Sequence, residues 1–161
     1  MGILPITDPR MTRFWITLDQ SVYFVLMSLA RAKGGEIFIP RIPSMKITDL
    51  AKAIAPDCRQ EIVGIRPGEK LHETLIGEDE ARSAVRFKEC YIVQPHLPSQ
   101  RDLLKGNGDG SKGQLCPEGF KYTSDTNKEW LTVKDLKSLV DHISDDYAIE
   151  HSRWSMEDVP Q

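Results

Sequence analysis

The sequence is poor in cysteine, in net charge and in long apolar runs, and each shortage excludes something. Its three cysteines, Cys58, Cys90 and Cys116, are widely spaced and form no Cys-x-x-Cys pair. That excludes a zinc ribbon and a disulfide framework and reads as free thiols of a reducing cytoplasm. Lys and Arg number 21 against 24 Asp and Glu, a net charge of -3. No basic excess points to nucleic acid. The longest nearly apolar run, Val22 to Ala30, is too short for a membrane span. The N-terminus has neither the charged start nor the apolar core of a secretory signal, and Ile6 breaks the myristoylation pattern. With 40% hydrophobic and 28% charged residues in 161, the composition is that of one soluble globular domain with a modest core.

Catalytic signatures are equally scarce. His72-Glu73 begins like a zinc-protease helix, but Ile76 occupies the place of the second histidine. His72, His96, His142 and His151 show no ligand spacing, and no Gly-x-Ser-x-Gly elbow is present. None of the four tyrosines is followed four residues later by lysine, so the Tyr-x-x-x-Lys pair of short-chain dehydrogenases is missing. Gly108-Asp-Gly-Ser-Lys-Gly113 spells G-x-G-x-x-G, yet lacks the strand before and helix after that would hold a pyrophosphate. It reads as a flexible turn. No catalytic residue and no metal site are predicted.

What is present is a set of short alternating elements. Thr17-Leu-Asp-Gln20 fits a capping box that starts a helix running to about Lys33, where Gly34-Gly35 stops it. Val22, Val25, Leu26 and Leu29 form its apolar stripe, and Tyr23, Phe24 and Met27 extend it. A helix apolar on more than one face expects cover on more than one side, some of it from another chain. Strands are expected at 36–40, 61–65 and 91–93. Short helices are expected after Thr48, ended by Pro56, and over 69–76. An irregular excursion covers 94–119, and a last helix covers Val133 to Ile143 with Thr132 as its cap. The tail from Ser144 is acidic and reads as mobile. The expected class is α/β with α+β character, a small mixed domain of short strands and about four helices.

Two arginine segments carry the binding chemistry. In Arg10-Met-Thr-Arg13-Phe-Trp15, two guanidiniums alternate with apolar and aromatic residues ahead of a capped helix. In Arg66-Pro67-Gly68-Glu69, Pro-Gly suits the centre of a type II turn that would hold Arg66 at the end of a buried strand. Two arginines from separate segments make a natural clamp for a diphosphate, each charge-assisted contact contributing about 1.5–3 kcal/mol. Glu69 is placed to accept from sugar hydroxyls. The same arginines read equally as surface ion-pair partners.

Leu4–Thr17, Gly34–Lys46, Gly64–Glu73 and Tyr122–Leu131 together resemble the C-terminal half of the bacterial inverting UDP-N-acetylglucosamine 4,6-dehydratases, in the extended short-chain dehydrogenase superfamily. The resemblance covers the chain to about residue 143. It implies a C-terminal substrate-binding region over 1–143, followed by a tail over 144–161. It also implies that Arg13, Arg66 and Glu69 hold the UDP part of the substrate. The family's N-terminal Rossmann domain, which binds NADP and supplies the Tyr-x-x-x-Lys chemistry, is not among these residues. On that reading the chain holds no cofactor and does not turn over UDP-N-acetylglucosamine alone. It would bind a UDP-sugar and pair with a copy of itself or with a Rossmann-containing partner. The alternatives are a non-catalytic interaction module and a decayed remnant of the dehydratase.

Overall fold

The computed structural model describes residues 2–95 and 112–153. In chain order these form β1 (Ile3–Ile6), β2 (Thr12–Phe14), α1 (Leu18–Arg31), β3 (Ile37–Pro40) and β4 (Ser44–Lys46). Then come α2 (Ile47–Ile54), β5 (Arg59–Ile62), β6 (Thr74–Ile76), α3 (Glu78–Ala81), β7 (Ala84–Arg86) and β8 (Cys90–Val93). The last are β9 (Gln114–Leu115), β10 (Tyr122–Thr123) and α4 (Val133–Arg153). The class is the expected one: short strands in small sheets with four helices among the described residues. The chain divides into two compact units, Met1–Met11 with Met45–Leu71 and Trp130–Gln161, and Thr12–Ser44 with His72–Glu129.

In the first unit, β1 and β5 pair in parallel, Ile3 opposite Arg59 and Ile6 opposite Ile62. Helix α2 buries Ala51 and Ala53, and α4 contributes the fully buried Leu136. Thr48 does not cap α2. The helix starts two residues earlier than that cap implies, at Ile47, whose N–H donates to the Met11 carbonyl at 3.1 Å, and its N-cap Lys46 makes no side-chain cap bond. Thr132 does cap α4: its Oγ1 accepts the Asp135 N–H at 3.3 Å and donates to Asp135 Oδ2 at 2.6 Å. That helix continues ten residues past the expected end at 143, to Arg153. Residues 154–161 of the tail lie outside the described residues.

The second unit is built on an antiparallel sheet in the order β3-β8-β7-β9. Strand alternation gives it two apolar faces. Ile39, Ala84, Tyr91 and Val93 join Ile76 and Tyr122 on one face, with Phe14 and Phe120 packed against them. Val85, Phe87, Cys90 and Ile92 make the other, against Phe24 and Phe38. Gly113 belongs to the close approach of β9 to β7, since a Cβ there would lie 2.3 Å from Val85 Cγ1. The rest of the G-x-G-x-x-G segment, 108–111, lies outside the described residues, as does 96–111 of the expected excursion.

Three local expectations need correction. Residues 69–76 are not a helix: the chain turns at 66–69 and then forms β6, which pairs with β10 through Ile76 opposite Tyr122 and Thr74 opposite Thr123. Tertiary pairing overrides the local helical pattern there. The expected strand at 61–65 is shifted to Arg59–Ile62 by its register with β1. It is also not buried, because Ile62, Val63 and Ile65 are all about half exposed. Helix α1 has the expected capping box, Thr17 accepting the Gln20 N–H at 3.3 Å and Gln20 Oε1 accepting the Thr17 N–H at 3.0 Å. No residue of α1 is buried, however. Leu18 is 79% exposed and Leu29 69%, so the apolar stripe faces outward.

Candidate functional site

The turn at residues 66–69 forms as the Pro-Gly dipeptide predicts. Glu69 donates its N–H to the Arg66 carbonyl at 3.1 Å, closing the four-residue turn. Gly68 adopts a φ of 85°, the left-handed value that the third position of a type II turn requires. The Glu69 carboxylate folds back so that Oε2 accepts the Arg66 N–H at 3.0 Å. One oxygen is therefore committed to holding the turn. Arg66 is exposed at the tip. The turn presents a guanidinium fork on a backbone that Pro67, Gly68 and Glu69 fix together.

The other segment divides its two arginines. Arg10 is taken by Asp8, with Nη2 to Oδ2 at 2.7 Å and Nε to Oδ1 at 3.0 Å, and that carboxylate raises the guanidinium pKa further. Arg13, in the second unit, is held differently. Strand β2 turns Thr12 and Phe14 into the unit's interior and leaves Arg13 on the opposite side, with about a quarter of its side chain exposed. Its Nη1 donates to the Thr12 carbonyl at 2.7 Å, and its Nε lies 3.8 Å from Glu73 Oε1.

Sequence reading missed what lies behind Arg13. Thr12 and Ser124 are both buried, their hydroxyls 2.6 Å apart, and Thr12 Oγ1 also meets His72 Nδ1 at 2.8 Å. Ser124 Oγ accepts the Glu73 N–H at 2.9 Å, and Glu73 Oε2 accepts the Phe14 N–H at 2.7 Å. The Ser124 N–H in turn donates to the Glu73 carbonyl. His72-Glu73, a truncated zinc motif in sequence, thus ties β2, which carries Arg13, to Ser124 just after β10. Beside it, the Thr123 hydroxyl's hydrogen bond holds the Asp125 carboxyl below its usual pKa, with a smaller contribution from His72. Among the described residues no three His, Cys, Asp or Glu side chains group as metal ligands, and no helix is long and apolar enough to cross a membrane.

Residues 1–95 match the family model described as polysaccharide biosynthesis protein. Over 141 residues the chain is 49% identical to a UDP-N-acetylglucosamine 4,6-dehydratase (inverting) from Campylobacter jejuni, covering 86% of this chain and 42% of that protein. It is 33% identical over 142 residues to a UDP-glucose 4-epimerase from Rickettsia conorii, covering 86% of this chain and 40% of the relative. The X-ray structure of Pen from Bacillus thuringiensis superposes with a TM-score of 0.71 at 27% identity, over 88% of this chain and 42% of that one. The chain spans about two fifths of the length of each of these proteins.

Proposed function

The chain belongs to the polysaccharide biosynthesis protein family, and we propose that it is the UDP-sugar-binding portion of an inverting UDP-N-acetylglucosamine 4,6-dehydratase. The observation that carries this is the 66–69 turn. Its locked backbone presents an exposed guanidinium beside a carboxylate, which suits a nucleotide diphosphate and its sugar. Arg13, steadied by the Thr12 carbonyl, is the second guanidinium assigned to the UDP. Glu69 keeps one carboxylate oxygen for ligand hydroxyls while the other holds the turn.

Catalysis is assigned elsewhere. NADP and the Tyr-x-x-x-Lys chemistry belong to a Rossmann portion of the family, and no Tyr-x-x-x-Lys occurs in this sequence. The 161 residues alone, with NADP and UDP-N-acetylglucosamine supplied, are therefore expected to form no 4-keto-6-deoxy product. Chromatographic detection of that product would overturn this part of the reading. Binding is tested by calorimetric titration with UDP. The expected outcome is weak saturable binding that falls at least about tenfold in Arg66→Ala, the loss of one charge-assisted contact. Binding unchanged in that variant would remove Arg66 from the site.

A second reading has its own support in α1. Leu18, Val22, Val25, Leu26 and Leu29 lie at helical spacing on one face and are all at least half exposed. We propose that a second copy of the chain covers this face, making the protein self-associate. The three cysteines are free, in keeping with a cytoplasmic setting for both roles.

A further inference from the structure

We infer that Glu73 is the positioning residue that fixes the direction of the Arg13 guanidinium; the ligand half of this inference rests on the reading of Arg13 as a UDP contact. Glu73 is held at its backbone and at its carboxylate. Its backbone N–H donates to the buried Ser124 hydroxyl at 2.9 Å, and its Oε2 accepts the Phe14 N–H at 2.7 Å. Oε1 is thereby set on the Nε edge of Arg13 at 3.8 Å, while the Thr12 carbonyl takes Nη1 at 2.7 Å. A guanidinium carries five donors in one rigid plane. One edge is hydrogen-bonded and the Glu73 charge, 3.8 Å from Nε, biases the plane from a second side, so Arg13 meets an anion with less side-chain freedom to lose.

The opposite effect is easily stated. A carboxylate beside a cation weakens that cation's attraction for a phosphate. If charge alone mattered, neutralising Glu73 would tighten anion binding, by up to about fivefold for a part-exposed pair. If orientation matters more, neutralising it weakens binding. The two roles have opposite signs.

Glu73→Gln separates them, because the amide oxygen still accepts the Phe14 N–H while the atom facing Arg13 becomes a neutral NH2 that neither attracts nor accepts from the guanidinium. The full chain should keep its melting temperature to within about 2 °C. Its UDP affinity should fall about three- to tenfold, and this loss should disappear when Arg13→Ala is already present. Independently of UDP, the backbone-like rigidity of the Arg13 Nε–H vector, assigned by its absence in Arg13→Lys, should fall to an NMR order parameter below about 0.6 in Glu73→Gln. An order parameter unchanged by the substitution overturns the inference whatever UDP does. Tighter UDP binding, or a loss additive with Arg13→Ala, overturns it too. If the wild-type chain does not bind UDP, the ligand reading fails and the order parameter alone decides whether Glu73 orients Arg13.

Discussion

Thr12 Oγ1 and Ser124 Oγ lie 2.6 Å apart although 112 residues separate them in the chain. Both side chains are buried, and through them His72, Glu73 and the strand bearing Arg13 share one hydrogen-bonded cluster. Ser124→Ala leaves the Glu73 N–H without its partner inside the unit and takes from the Thr12 hydroxyl one of its two, His72 Nδ1 remaining. The expected cost is about 1–3 kcal/mol, read as a lower midpoint in urea unfolding. An unchanged midpoint would mean that the cluster does not hold the unit together.

Tyr122 ties the same unit to the loop after β3. Its hydroxyl donates to the Ile42 carbonyl and accepts the Ile42 N–H, both at 2.9 Å. Burial, only partly offset by the Ile42 hydrogen bond, pushes its pKa up to about 12. An unfolded tyrosine titrates near 10. Between those values the unfolded chain has lost a proton that the folded one keeps, so stability is intact below pH ~10 and falls as pH rises toward 12. Absorbance at 295 nm should show a tyrosine step at about pH 12, and Tyr122→Phe should remove that step. Four tyrosines all titrating near pH ~10 would contradict the assignment.

The outward face of α1 gives a prediction about assembly. Sedimentation of the wild-type chain at increasing concentration should show growth beyond a monomer. Leu26→Glu, which puts a charge in the centre of the apolar stripe, should return it to a monomer with little loss of stability, because Leu26 is already 62% exposed. A wild-type monomer at all concentrations would rule out a copy of the chain as the cover.

Features of the fold that were legible in advance are those that short stretches of chain decide. The Thr17–Gln20 capping box and the Pro67-Gly68 turn are each settled within four residues, and both formed. Strands β3 and β8 carry enough apolar residues to announce themselves. By contrast, β6 lies in a stretch whose local pattern is helical, because its pairing with β10 comes from beyond the 96–111 segment. Cluster members Thr12, His72 and Ser124 show no spacing at all in sequence. Their association is a product of folding, and the sequence neighbours of Glu73 give no sign of its role for the same reason. The resemblance to the inverting dehydratases, read from four blocks of sequence, agrees with the family match and with the 49% identity over 141 residues.

The central proposal is that the Arg66–Glu69 turn holds UDP. Titration of the isotope-labelled full chain with UDP, followed by NMR, tests it most directly. The Arg66 Nε–H signal and the Glu69 backbone amide should both shift and saturate at one common dissociation constant. Two signals that stay unmoved up to saturating UDP would contradict it.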